Sequence, residues 1–168
     1  MENINLENLN GWAISEEILI WLINNIKPNS TILELGSGTG TIELCKFFNV
    51  YTIEHDEKWL NKAENANYIY APIQKYKYKS RKYNWYDRDI LVEQMPKDYE
   101  VIIIDGPPGK KIGRMGFYYN IQIFDTTKII IVDDTNRDKD KHLSNFIAKW
   151  VKRPNVEYLS LNKKFDII

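Results

Sequence analysis

The sequence predicts an α/β fold: a doubly wound, mostly parallel sheet with helices on both faces and an antiparallel hairpin closing its C-terminal end. Three observations carry this expectation. Apolar, strand-like runs alternate with helix-patterned segments along most of the 168 residues. The runs Val101 to Asp105 and Lys128 to Asp133 stay apolar until a terminal acid, as central parallel strands covered on both faces should. Glycines crowd the turn from Gly36 to Gly40, directly after another such run. One domain over residues 1–168 accounts for this length.

Residues 1–10 are polar and read as a frayed end. Ser15 is an N-cap ahead of Glu16 and Glu17. Apolar residues then recur at Ile18, Leu22 and Ile26, with Leu19 and Ile23 beside them, until Lys27-Pro28 stops the helix. Thr31 to Leu35 is a buried strand. A helix follows over Thr41 to Phe48 and a second strand over Val50 to Glu54. Glu57 to Ala66 reads as a helix and Tyr68 to Ile73 as a third strand. Residues 74–99 are less regular. After Val101 to Asp105 and a Gly/Pro-rich loop at 106–116, helices are predicted over 117–126 and 138–151, on either side of the strand ending at Asp133. Arg153-Pro154 breaks the last of them. Val156 to Leu161 and Phe165 to Ile168 flank Asn162-Lys163-Lys164 as a hairpin.

Apolar residues at 43% and charged residues at 27% are the balance of an ordinary globular protein. The 23 basic and 23 acidic residues cancel, so no global field draws the chain to nucleic acid or an anionic membrane. The lone Cys45 excludes an internal disulfide and a cysteine-rich zinc site; among Leu44, Lys46 and Phe47 it reads as a buried, inert thiol. The polar, acidic N-terminus lacks the pattern of a signal peptide, and no run of about 18 apolar residues offers a membrane span. A cytoplasmic protein is the default expectation, and nothing specifies an oligomeric state.

The strongest chemical signal is Glu34-Leu35-Gly36-Ser37-Gly38-Thr39-Gly40, between a strand and a helix. Glycines permit positive φ and close approach of a ligand, and the helix start offers N–H groups to an anion. Glu54 closes the second strand, where a carboxylate can accept hydrogen bonds from both hydroxyls of a ribose. Dehydrogenase loops run Gly-x-Gly-x-x-Gly; here the third glycine comes one residue early and Thr41 takes its usual place. Glu34 would oppose a pyrophosphate but suits a ligand carrying an ammonium and a sulfonium. The Glu-x-Gly-x-Gly-x-Gly pattern resembles the first motif of the class I methyltransferases. The resemblance implies a Rossmann-like domain over the whole chain and S-adenosylmethionine as cofactor. It further implies that Gly36, Ser37, Gly38 and Gly40 line the methionine part, with Glu34 near its amino group and Glu54 on the ribose. His55, beside Glu54, is read as an adenosine-side contact. Ala71-Pro72 stand where the family often has a polar residue near the adenine, which leaves backbone contacts there.

Ligands of parallel α/β sheets sit beyond the carboxyl ends of the strands, at the switch in strand order. Asp105 and the pair Asp133-Asp134 end two runs expected to flank that switch. Three converging carboxylates suit a hard divalent cation that binds and acidifies a substrate hydroxyl. This resembles the catechol-type, metal-dependent O-methyltransferases, which implies Mg²⁺ or Mn²⁺ on Asp105, Asp133 and Asp134. Gly106-Pro107-Pro108-Gly109 departs from that family after the first acid, and adjacent Asp133 and Asp134 face one site only if the strand has already ended. The metal-free alternative makes Asp105 a general base or cofactor contact. The loop is also similar to the Asp-Pro-Pro-aromatic motif of amino-group nucleic-acid methyltransferases, but Gly106 intervenes and Gly109 replaces the aromatic, which disfavours that chemistry.

Lys110, Lys111 and Arg114, among Gly109, Gly113 and Gly116, suit a lid in which Arg114 plays a catalytic part by holding a carboxylate or phosphate of the substrate. Arg137 is a weaker candidate for the same role. Residues 74–88 interleave Lys75, Lys77, Lys79, Arg81 and Lys82 with Tyr76, Tyr78, Tyr83, Trp85 and Tyr86. A nucleic-acid or sugar-binding face fits this; a strand with tyrosines inward and lysines outward explains it more simply. Trp85-Tyr86-Asp87 is a candidate wall of the substrate pocket. His142 reads as solvated and Trp12 as core. The expected function is O-methylation of a small-molecule or carbohydrate-like acceptor. The alternatives are a small RNA methyltransferase, a catalytically silent cofactor-binding subunit and a dehydrogenase.

Overall fold

The computed structural model describes residues 14–108, 113–161 and 163–168. The expected lid residues Gly109, Lys110 and Lys111, together with Trp12, the frayed end and Asn162, lie outside these.

Helix α1 (Glu16–Asn25) starts where Ser15 Oγ accepts from Ile18 N at 3.4 Å, with Glu16 and Glu17 in its first turn. Strand β1 (Thr31–Leu35) leads through the glycine turn into a short α2 (Thr39–Leu44), which begins two residues before Thr41 and ends before Phe48. Strand β2 (Asn49–Glu54) follows. The helix expected over 57–66 is only a 3-10 turn at Glu57–Trp59. Leu60 is extended and Asn61 sits at φ 59°, in the left-handed region a helix cannot pass through. Of residues 57–66 only Ala63 is buried, so no apolar stripe holds a helix down.

Strand β3 (Asn67–Tyr70) stops three residues earlier than expected, where Ala71-Pro72 turn the chain away. The stretch after it is ordered rather than irregular. Strands β4 (Ile73–Tyr78) and β5 (Arg81–Tyr86) form an antiparallel hairpin separate from the main sheet, turning at Lys79 (φ 53°) and Ser80. Its lysines are exposed while Tyr83, Trp85 and Tyr86 are buried, as the alternating pattern anticipated; Tyr78 departs from it and is exposed. Asp87 then caps α3 (Arg88–Gln94), accepting from Asp89 N at 3.0 Å and Ile90 N at 3.4 Å.

Strand β6 (Val101–Ile104) is followed by α4 (Gly116–Tyr119) and a 3-10 turn at Ile121–Ile123, in place of one helix over 117–126. Asn120 interrupts it: its amide donates to Gly116 O at 2.7 Å and to Tyr83 Oη at 3.2 Å. Strand β7 (Ile129–Val132), α5 (Asp138–Val151) and the hairpin β8 (Val156–Leu159) with β9 (Lys164–Ile167) complete the order.

The seven-stranded sheet runs β3-β2-β1-β6-β7-β9-β8. All pairs from β3 to β7 are parallel, and β9 is antiparallel to both its neighbours. The doubly wound, mostly parallel sheet with a C-terminal hairpin is thus as expected. Alternation along the central strands divides the core in two. Ile32, Val101, Ile103 and Ile131 pack with the α1 residues Ile18, Leu19 and Leu22 on one face. Leu33, Leu35, Ile102, Ile104, Ile130 and Val132 pack with Trp85, Tyr86, Leu91, Phe117 and Leu143 on the other.

The C-terminal hairpin is anchored by a buried acid. Asp166, opposite Val132, is fully buried and accepts from Lys141 Nζ at 2.9 Å, Ser144 Oγ at 2.5 Å, Asn155 Nδ2 at 2.9 Å and Thr135 Oγ1 at 3.1 Å. A buried carboxylate so fully satisfied ties α5 to β9, and removing it strands its donors. Asp166→Ala is expected to lower the free energy of unfolding by about 3 kcal/mol, read as a lower urea midpoint, with Asp166→Asn recovering part of the loss.

Candidate functional site

Chain order moves outward from β1 to β3 and then returns to β6, so the switch lies between β1 and β6. The runs ending at Asp105 and Asp133 do not flank it together. The glycine turn and Asp105 do, while Asp133 stands one strand further out. Gly36 adopts φ 96° and donates its N–H to Ile53 O at 2.9 Å. A Cβ on Gly36 would stand 2.9 Å from Gly106 Cα, and one on Gly106 would collide with the Tyr86 hydroxyl. The two loops therefore cross the switch backbone to backbone, which only glycines permit.

Glu54, 3% exposed, organises this end. Its Oε2 accepts from Ser37 N at 3.0 Å; its Oε1 accepts from His55 N at 2.6 Å and Asp56 N at 2.8 Å, with His55 Nδ1 at 2.8 Å. Burial pulls its pKa upward, but hydrogen bonds from the His55 side chain and the backbone of Asp56, His55 and Ser37 outweigh that and hold it below the usual range. Glu54 is an ionised carboxylate that ties the tip of β2 to the glycine turn.

Glu34 is buried beneath that turn, where its carboxyl accepts from Thr41 Oγ1 at 2.8 Å; Thr41 Oγ1 in turn accepts from Gly38 N at 3.0 Å. Burial raises its pKa from 4.5 to about 8, against the Thr41 hydrogen bond, so it is largely protonated at neutral pH.

Asp105, Asp133 and Asp134 each offer an oxygen within 4.8 Å of the others. Asp134 lies past the end of β7 at φ 59°, and this turn brings the adjacent acids to one place. Basic side chains sit among them. Arg114 Nη2 reaches Asp105 Oδ1 at 2.5 Å and Asp134 Oδ2 at 2.9 Å. Its Nη1 donates to the Asp133 carbonyl at 2.9 Å and stands 3.7 Å from Asp140. Lys163 Nζ is 2.6 Å from Asp133 Oδ2, and Arg137 Nη1 is 3.0 Å from Asp134 Oδ2. Burial pushes the Asp133 carboxyl up to about 7, with the Asp105 charge adding to it. Burial likewise raises Asp105, although Arg114 and Lys163 oppose the shift.

Of these groups all but the buried Asp133 border a cavity of about 1870 Å³, roomier than the roughly 300–1,000 Å³ typical of small-molecule sites. Gly36, Ser37, Glu54, His55 and Asp56 line it from the first two strands. Tyr78, Arg81, Tyr118, Tyr119 and Phe146 line it from the hairpin, α4 and α5. Asp105, Arg114, Asp134 and Lys163 also face it. Glu34, Gly38 and Gly40 are not among the lining residues; Gly40 is buried in α2. Trp85, Tyr86 and Asp87 do not wall the cavity either. The first two are buried in the core, and Asp87 serves as a cap. Arg114 is turned onto the acids instead of outward toward a substrate anion. His142 is exposed, as expected, with Nδ1 2.7 Å from Asp138 O, and faces the cavity. Sequence reasoning missed Lys163, hidden in a hairpin turn that reads as solvated, and Tyr119, which stacks on Tyr78 of the 74–88 stretch with centroids 4.7 Å apart.

No family model and no curated protein sequence matches the chain. Solved structures do. A Staphylococcus aureus protein assigned as a caffeoyl-CoA O-methyltransferase superposes with a TM-score of 0.55 at 17% identity, over 90% of this chain and 79% of that one. The Podospora anserina methyltransferase PaMTH1, bound to S-adenosylhomocysteine, gives 0.53 at 13% identity over 89% and 75%. A Clostridium thermocellum protein assigned as an rRNA methylase gives 0.51 at 11% identity over 90% and 91%. At such identities the likeness is one of fold.

Two outcomes follow from the buried groups. Because Glu34 binds its proton more tightly folded than unfolded, its contribution to stability is full below pH 4.5 and is lost as pH rises to about 8. Asp133 acts in the same direction. Urea midpoints should fall across that window, and Glu34→Gln, which retains an acceptor for Thr41, should flatten the decline. The Tyr86 hydroxyl is buried with no hydrogen-bond partner among the described residues. Tyr86→Phe should therefore leave the melting temperature unchanged or higher.

Proposed function

We propose that this chain, which carries the fold of the class I methyltransferases, transfers a methyl group from S-adenosylmethionine to an oxygen of a small-molecule or carbohydrate-like acceptor. One observation supports the cofactor above all: an ionised Glu54 at the cavity wall, fastened to the glycine turn through Ser37 N at 3.0 Å. A carboxylate lining a cavity at a topological switch, whose Oε2 accepts only from Ser37 N, suits a vicinal diol such as that of a ribose. Gly36 and Ser37 leave the wall free of bulky side chains beside it, and His55 and Asp56 border the same space.

The cofactor supplies an electrophilic methyl on sulfur, and the residues here supply position and a base. The acceptor oxygen gains the methyl and its hydroxyl proton passes to a carboxylate; S-adenosylhomocysteine is the other product. Asp105 suits that task, since it adjoins the glycine turn and burial makes it a stronger base than a free aspartate. Tyr78, Tyr118, Tyr119 and Phe146 give the cavity flat apolar walls for the acceptor. For Mg²⁺ or Mn²⁺ the three aspartates are suitable donors, but Arg114 and Lys163 hold the space between them. No step is assigned to a metal.

Calorimetry with S-adenosylmethionine and with NAD⁺ tests this reading. The sulfonium ligand should bind and the dinucleotide should not. Glu54→Ala should weaken binding about tenfold or more, ~1.4 kcal/mol. Asp105→Asn should bind within about threefold of wild type yet release no S-adenosylhomocysteine over a panel of phenols, catechols and sugars. No heat with S-adenosylmethionine, or wild-type affinity in Glu54→Ala, would overturn the assignment. Release with RNA but none of the small acceptors would move the substrate to nucleic acid.

A further inference from the structure

We propose that Arg114 and Lys163 are built-in counter-cations of the Asp105–Asp133–Asp134 cluster, standing where a divalent ion would otherwise balance its charge, so that the site works without a metal. This rests on the methyl-transfer reading for its chemical use, but not for its geometry.

Three carboxylate oxygens within 4.8 Å of one another repel strongly in a low-dielectric setting unless positive charge lies between them. Here the chain provides it. Arg114 bridges two of the three acids through one nitrogen, at 2.5 Å from Asp105 and 2.9 Å from Asp134. Lys163 reaches the third, Asp133, at 2.6 Å and stands 3.7 Å from Asp134. Asp140 lies 3.7 Å from the other guanidinium nitrogen, and Arg137 bonds Asp134 from the solvent side at 3.0 Å. Every acid of the group thus has a basic partner within 4 Å.

The arginine is no casual visitor. Its side chain is only 9% exposed, and its second nitrogen is held by the Asp133 carbonyl at 2.9 Å. A divalent ion at roughly 2.0–2.6 Å from the carboxylate oxygens would share those oxygens with the guanidinium, and like charges would meet. Expelling Arg114 would break three hydrogen bonds and leave Asp140 facing it no longer. Lys163 comes from a different segment, the turn between β8 and β9, so the cluster is closed by two independent parts of the chain.

Manganese titration of the full chain, followed by electron paramagnetic resonance, tests this, with calorimetric S-adenosylmethionine binding recorded on the same samples. Wild type should show no stoichiometric Mn²⁺ site tighter than about 1 mM. Arg114→Gln/Lys163→Gln should gain one site at least about tenfold tighter, lost again when Asp133→Asn is added. A wild-type site in the micromolar range that disappears in Asp134→Asn would overturn the proposal. So would unchanged Mn²⁺ affinity in a double variant that still binds S-adenosylmethionine. Should the double variant not fold, the wild-type titration and the single Lys163→Gln variant decide the matter. Loss of the metal-free reading would leave wild-type S-adenosylmethionine binding intact, whereas failure of the methyl-transfer reading would abolish that heat whatever manganese does.

Discussion

Two neighbouring strands that end level with one another impose the central constraint on this molecule. Leu35 pairs with Ile104 in register, so the chain leaves β1 and β6 at the same height. The turn at Gly36 and the turn at Gly106 must then pass with no Cβ between them, above a tyrosine that fills the space below. That crossing opens a crevice at the switch in strand order and sets Glu54 on one side of it and Asp105 on the other. An alanine at either glycine would push the loops apart, and the crevice would lose its shape before any ligand arrived.

The second organising feature is electrostatic and divided by place. Near β2 one carboxylate is kept ionised by the N–H groups of Ser37, His55 and Asp56. Under the glycine turn another is kept protonated chiefly by burial, with the charges of Asp105 and Glu54 adding to it. At the ends of β6 and β7 a group of aspartates is balanced by arginines and a lysine. The same functional group thus takes three forms at one end of the sheet, according to what surrounds it. Environment alone sets the charge of each acid, with no need for different residue types.

Much of this was readable from the amino acids. The strands and the hairpin at the end followed from apolar runs and turn residues, and α1 and α5 from helical spacing, because burial on two faces leaves a periodic mark. The glycine turn and the acids at the strand ends were equally plain. Local reading failed where tertiary contacts decide. Residues 57–66 have helix-forming composition but nothing to pack on, and Asn61 breaks them. Residues 73–86 hide a hairpin because its turn, Lys79-Ser80, carries none of the usual glycine or asparagine. Within the site, Arg114 looked like a grip for a substrate since sequence cannot tell whether a cation faces outward or is already bound. Lys163 lay 30 residues from its acid partner and so gave no local signal.

The C-terminal hairpin carries two duties on one short strand and its turn. Asp166 pins β9 to α5, while Lys163, just ahead of that strand, bonds Asp133 at 2.6 Å. If β9 unzips from β7, both charges depart together: the sheet loses its clasp and the aspartates lose a counterweight in the same event. The charge balance of the aspartate cluster is therefore coupled to the fraying of the C-terminal hairpin, and it holds only while that ribbon stays zipped.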